Sequence, residues 1–432
     1  MLSNIICPLP KAGSVSFPSI ISDLEKLKAF LDCFVNGKIS IKTTPHTRYK
    51  PSDFIFVKLF SLLKNKSIHD AAEYLNTYFT EQLKRDRLIL PQQFKDKKRL
   101  RRLIPHQTDV NKFIRCLTET DVKTIMGGLL DYQNQQISET IIPYRTWISI
   151  ADNTKFPFYG KPDPLKHIGS NHLPGTKVCW MFQAISVHST SIHLFTDIFS
   201  LSKGVYRAKD VPNAVNWLKW CGMDIKVAEF DREFYRAALV AELAKYNIRC
   251  TFPTKKFQWV KHHMENYLNG TGGLIVGNIF SQNNNLYPYQ QSAFVRMVII
   301  GKDKKKAWDV QADYQAGKLS LTEALSNLRG FFTNLKPWKN KKSWSLYISR
   351  DYKRRWNIET GFREIKKMHV SGHERRFEAK MFDLYCRVFL YNRWQTWALL
   401  LKKLGYHHRD MTFNAFRDFE SEQIMSLYSA QF

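Results

Sequence analysis

Three carboxylates stand where the chain could do phosphodiester chemistry. Asp152 closes the apolar run "WISIAD", Asp231 follows "IKVAEF", and Glu359 lies inside "DYKRRWNIETGFREIKKM", residues 351–368. An acid at the C-terminal end of a central strand sits at the sheet rim, where α/β proteins commonly bind ligands. If the two strands are neighbours, Asp152 and Asp231 converge, and two acids that close repel unless a cation bridges them. Hard oxygen donors suit Mg²⁺ or Mn²⁺. With two ions about 4 Å apart, one activates a water or 3′-hydroxyl and the other stabilises the leaving oxygen of an in-line displacement. The ordinary alternatives are a turn former or a helix N-cap, and Asp231 before "REFYRAAL" is well placed to cap.

Read as one α-helix at about 100° per residue, residues 351–368 put Tyr352, Arg355, Glu359 and Lys366 within a sector of roughly 60°, with Arg363 beside them. Ile358, Phe362, Ile365 and Met368 fall on an adjoining sector that can be buried. The glutamate can then hold metal while its basic neighbours hold phosphates. Trp356, Trp338 and Trp344 could each stack on an unpaired base, although a tryptophan is more often a core residue. Glu364 lies about 140° round from Glu359 and reads as an exposed ion-pair partner.

The whole chain favours a polyanionic partner. Its 432 residues carry 66 Lys and Arg against 38 Asp and Glu, a formal charge of +28. The excess is uneven, with 13 basic residues against 4 acids in 336–376 and 11 against 4 in 81–115. Two basic patches follow, and nucleic acid fits them better than a membrane surface. The seven cysteines are widely spaced and never form C-x-x-C, which signals neither a disulfide framework nor a zinc finger and suggests a reducing cytosol. The apolar stretches are short or interrupted by charge, so no membrane span or signal peptide is expected. His369 and His373 lack the H-E-x-x-H glutamate, the adjacent His262 and His263 cannot share a helix face, and no phosphate-binding G-x-x-x-x-G-K-[ST] points to ATP.

The elements that must position the acids can be read in order. Residues 1–140 read as helices, with "DFIFVKLFSLL" and "IHDAAEYLNTYF" flanking "KNKS", Ser67 as an N-cap, and either a helix-turn-helix or an ordinary bundle as the outcome. Residues 141–254 read as the first part of a catalytic core. Three meandering strands are followed by a helix, a strand, a helix from about Arg232 to Lys245, and the strand "IRCTFP". Residues 255–348 read as a β-rich insertion and 349–404 as the remainder of the core, closed by a long helix over about 377–404. Residues 405–432 read as a tail too short for a large dimerisation domain. The fold class is α/β, a mixed sheet flanked by helices.

The spacing Tyr352-x2-Arg355-x3-Glu359-x6-Lys366 resembles the Tyr-Arg-Glu-Lys signature of insertion-sequence DDE transposases of the IS-four type. "WNIETGFREIK" resembles its setting, "IADNTKFPFYGK" the segment around the first catalytic Asp, and "VAEFDREFY" the segment around the second. The resemblance covers roughly residues 145–400. It implies an RNase H-like core, Asp152, Asp231 and Glu359 as a metal-binding triad for Mg²⁺ or Mn²⁺, and DNA contacts from Tyr352, Arg355 and Lys366. It further implies cleavage at terminal inverted repeats, transfer of the freed 3′-hydroxyl to target DNA, and a homodimer on paired ends in the cytoplasm at the nucleoid. A nuclease of the same fold that does not join ends, or a non-catalytic DNA-binding descendant, would carry much the same sequence.

Overall fold

The computed structural model describes residues 27–32, 49–85, 104–136, 146–161, 163, 168–169, 175–189, 192–201, 210–220, 222–282, 292–303, 305–368, 376–403, 405–407 and 411–429. His369, His373 and most of the basic run at 81–115 lie outside them. The chain divides into two compact units, Met1–Leu129 with Met368–Phe432, and Leu130–Lys367.

The first helices are α1 (Pro51–Leu63), α2 (Ile68–Arg85), α3 (Gln107–Cys116) and α4 (Glu119–Val122), the last running through a π-helical turn, Lys123–Gly127, into α5 (Gly128–Gln136). Then come β1 (Thr146–Pro157), β2 (Ile168–Gly169), β3 (Val178–Ser189), β4 (Ile192–Leu201), α6 (Val211–Trp220), β5 (Asp224–Phe230), α7 (Ala237–Lys245) and β6 (Arg249–Pro253). They are followed by α8 (Gln258–Leu268), β7 (Ile275–Gln282), β8 (Ser292–Gly301), α9 (Ala307–Gln315), α10 (Leu321–Ser326) and β9 (Leu328–Thr333). The chain continues with α11 (Lys341–Tyr352), α12 (Trp356–Lys367), α13 (Phe377–Lys403) and α14 (Phe413–Ser429).

In the first unit, Ser67 caps α2 as expected, its hydroxyl accepting the Asp70 N–H at 3.1 Å. α1 is buried at nearly every position, and the exposed residues of α2 among those described are His69, Asp70, Tyr74, Thr77 and Glu81. The helix expected to close the catalytic layer, α13, belongs to this unit instead. Its Phe382, Tyr385, Cys386 and Phe389 are buried, and Asp383 pairs with Lys58 of α1 at 2.7 Å. The expected tail is likewise helical, with Glu420 of α14 bonded to Arg393 of α13.

The second unit is built on a mixed sheet of nine strands among the described residues, in the order β2-β3-β1-β5-β6-β9-β8-β7, with β4 also paired to β3. β3 is buried on both faces, as a central strand covered by helices must be. β1 runs parallel to β5 and antiparallel to β3. The three strands of 255–348 extend this sheet through β9, which pairs antiparallel with β6. They form no sheet of their own, because Thr333 on β9 bonds back to Thr251 and Cys250 on β6. The helix expected from about Arg232 begins only at Ala237, since Arg232–Phe234 forms a 3-10 turn.

Gly361 brings α12 down onto β4. A methyl group there would meet the Phe195 ring at 2.8 Å and the His193 imidazole at 3.1 Å, so the helix-weakening glycine is kept for close approach. His193 and its cross-strand partner His188 add a pH dependence. Burial pushes His193 down to about 3, with His188 adding to it. Burial and then Arg354 push His188 down to about 4, against Asp351. In the unfolded chain both take up protons near pH 6.5, protons that the fold refuses until pH 3–4. Stability is therefore lost as pH falls from about 6.5, at about 1.4 kcal/mol per pH unit for each histidine. Urea melts across that range should show this slope, about halved in His193→Gln; a flat profile would contradict the assignment.

Candidate active site

The parallel pairing of β1 with β5 ends at Ala151↔Phe230, so the next residues in register are Asp152 and Asp231. Side chains in register on parallel strands share a face, and the two acids converge there as expected. Asp152 does not end its strand, because β1 continues to Pro157 on antiparallel pairing with β3. It stands instead where the β5 pairing stops. Each acid has one oxygen held by the backbone, Asn153 N–H to Asp152 Oδ1 and Arg232 N–H to Asp231 Oδ1, both at 2.7 Å. Asp231 is therefore also a cap, here of the 3-10 turn Arg232–Phe234 rather than of the helix expected from about Arg232.

Glu359 arrives from α12, and Arg355 ties the set together. Its guanidinium donates from Nη1 to Asp152 Oδ2 at 2.8 Å and from Nη2 to Glu359 Oε1 at 2.5 Å. Burial lowers the hold of Arg355 on its proton, but Tyr352, Asp152, Glu359 and Asp231 outweigh that and strengthen it. Burial raises the Asp152 carboxyl to about 6, against Arg355 and the Asn153 N–H, with Asp231 and Glu359 adding to the rise. One arginine thus sits among three acids, an excess of negative charge in a half-buried setting.

The polar row is not one continuous helix. A 3-10 turn, Lys353–Arg355, separates α11 from α12, and the Arg355 guanidinium stays 5.6 Å from the centre of the Tyr352 ring. The Tyr352 hydroxyl donates to the Phe230 carbonyl at 3.1 Å, while its ring packs edge-on against Phe331. Tyr352 therefore braces the end of β5 just before Asp231. Lys366 does lie toward β1, its ammonium 5.5 Å from the centre of the Phe156 ring. Arg363 is exposed, and Glu364 pairs with Lys367 at 2.8 Å as expected. Trp356 is 64% exposed and Trp338 51%, both free of the core, whereas Trp344 is fully buried.

Sequence reasoning missed Glu229, two residues before Asp231 and on the same face of β5. It is 1% exposed. Burial, then Asp351, push its carboxyl well above the usual range, against Arg354 and Arg355. A glutamate inside the apolar run "IKVAEF" was the available signal. Asn357 was also missed; it anchors the first turn of α12 to β3, its Nδ2 lying 2.9 Å from His188 Nδ1. A cavity of about 430 Å³, lined by Lys219, Asp224, Lys226, Arg249 and Lys336 among others, lies at the opposite end of β5, away from the three acids.

No protein-family model matches the chain. No curated protein matches it either. Among solved structures it is similar to a piggyBac transposase, seen by cryo-EM in a synaptic complex with hairpin DNA, with a TM-score of 0.51 and 12% sequence identity over 97% of this chain and 82% of that one. The likeness defines the class of architecture: the chain has the fold of a transposase. Among the described residues, no helix is long and apolar enough to cross a membrane.

Proposed function

We propose that the chain is a DDE transposase of the insertion-sequence IS-four type with an RNase H-like core, which binds terminal inverted repeats, cleaves there and transfers the freed 3′-hydroxyl to target DNA. The observation that carries this reading is the convergence of Asp152, Asp231 and Glu359 around Arg355. The three acids suit Mg²⁺ or Mn²⁺, because three hard oxygen donors against one arginine leave two uncompensated negative charges. Two such ions, when bound, lower the pKa of the attacking oxygen and take up charge on the leaving one.

The chain's own groups do the rest. Arg355 keeps the acids from repelling one another before the ions arrive, and once the carboxylates are otherwise engaged its planar guanidinium is suited to a phosphate. Lys366 and Arg363 hold the strand near the scissile bond, and the exposed Trp356 offers a stacking face to an unpaired base. Tyr352 keeps Asp231 in place by bracing Phe230. The exposed Lys336, Lys339, Lys341, Lys342 and Lys353 extend the cationic surface on the same unit. The neighbour's complex with hairpin DNA supports DNA as the partner, and a homodimer on paired ends at the nucleoid goes with this chemistry.

The test uses the purified full chain, Mg²⁺ or Mn²⁺, and labelled DNA from the ends of the element. Cleaved and joined products are expected. Cleavage without joining would replace the reading with a nuclease, and binding without cleavage under either metal would replace it with a non-catalytic DNA-binding protein.

A further inference from the structure

We propose that His69, Glu73 and His106 form a second metal site, for a divalent transition-metal ion of the zinc type, which fastens α2 to the start of α3. His69 and Glu73 are one turn apart on α2 and share a face. Asn76 continues that stripe and brackets the backbone of Ile104, its Oδ1 accepting the Ile104 N–H at 3.1 Å and its Nδ2 donating to the Ile104 carbonyl at 3.2 Å. This clamp hangs residues 104–106 over the stripe and brings His106 to the other two side chains. His106 Nε2 is 3.8 Å from Glu73 Oε1, and the rings of His69 and His106 meet edge to face with centroids 6.1 Å apart. One donor atom from each of the three residues lies within 4.8 Å of the others.

Two imidazoles and a carboxylate are a donor set that zinc favours, quite unlike the all-oxygen set of the three acids. Bonds of about 2.0–2.2 Å in a tetrahedral array need donors closer together than they stand here. The exposed His69 can close that gap by a change of rotamer, and its exposure leaves a fourth position for water.

The surroundings of His106 also suit a ligand. Its Nδ1 lies 3.3 Å from Thr108 N and 3.0 Å from Thr108 Oγ1. With Nε2 protonated, Nδ1 accepts the Thr108 N–H and caps α3. With Nε2 bound to a metal, the ring proton sits on Nδ1 and is donated to Thr108 Oγ1, the outer partner that fixes a ligating imidazole. In either tautomer Nδ1 bonds to Thr108, although the metal-bound form gives up the cap on the Thr108 N–H. The ion would close the chain between Glu73 and His106, a stretch rich in Lys and Arg.

The experiment is a Co²⁺ titration of the chelator-treated full chain, reading the visible bands of tetrahedral cobalt, followed by displacement with Zn²⁺. Bands are expected in the native chain and, unchanged, in Glu359→Gln, which separates this site from the three acids. His106→Asn retains a capping side chain and His69→Gln changes an exposed position. Each should weaken Co²⁺ binding by more than the roughly 10–100-fold that loss of an outer partner costs. Metal-free circular dichroism of each variant should match the native chain, and if His106→Asn fails to fold, His69→Gln carries the test. Absence of tetrahedral bands, or bands that persist at native affinity in a folded variant, would overturn the proposal.

Discussion

Glu359→Gln is expected to abolish metal-dependent cleavage and joining, by roughly 10³-fold or more, while DNA binding changes only a few-fold. The substitution keeps the shape of the side chain and removes one of the two carboxylates that Arg355 bridges. Fewer anionic oxygens then face the cation site, whereas Lys366 and Arg363 retain their charge for the phosphates. Glu364→Gln is the matched control. It lies on the same helix but pairs with Lys367, and its loss should leave activity within about twofold, as expected for an exposed ion pair worth little. Native activity in Glu359→Gln would remove Glu359 from the site, and equal losses in the two variants would point to damage to α12.

Asp383→Ala should be the most destabilising single substitution in the helical unit. Asp383 lies between Lys58 Nζ at 2.7 Å and Arg387 Nη2 at 2.5 Å, and all three side chains are buried. Burial alone would raise its pKa, but Lys58, Arg387 and Lys380 hold it well below the usual carboxylate range. Removing the aspartate strands two buried cations, at a cost of about 3–5 kcal/mol. Amide exchange in α1 and α13 should accelerate by roughly 10²- to 10⁴-fold wherever exchange needs the unit to open. Replacing Lys58, Asp383 and Arg387 together by Met, Leu and Met should recover most of the loss, because an apolar trio has no charge to strand. A change below about tenfold in Asp383→Ala would show that water reaches these groups.

Much of the nine-stranded sheet could be read from local pattern. Alternation and apolar runs marked β1, β3, β4, β5 and β6, and the acids after "WISIA" and "IKVAEF" could be picked out because a carboxylate beside a buried strand is unusual. The i, i+4 spacing of Arg355 and Glu359 likewise survived into a direct ion pair. The break of that row into two helices by the 3-10 turn at Lys353–Arg355 did not show, nor did the reach of the Tyr352 hydroxyl to Phe230 and of its ring to Phe331. Neither partner is near it in sequence.

The same distinction separates the assignments to the two units. "FEAKMFDLYCRVFLYNRWQTWALLLKK" announces a helix buried on most sides but not what buries it, and Asp383 finds Lys58 more than 300 positions away. The strands of 255–348 show their β character, yet only pairing of β9 with β6 adds them to the sheet that carries Asp152 and Asp231. His69 and Glu73 share a helix face by spacing, but nothing in the sequence joins His106 to them, since the clamp of Asn76 on Ile104 brings it there. By itself, then, the sequence determined the strands, the charge excess and which acids stand beside apolar runs, because those follow from the chemistry of adjacent residues. Tertiary structure alone decided that Asp152 and Asp231 fall in register, that Arg355 bridges two of the acids, and which helix joins which unit, because a buried group is stabilised by whichever distant segment meets it.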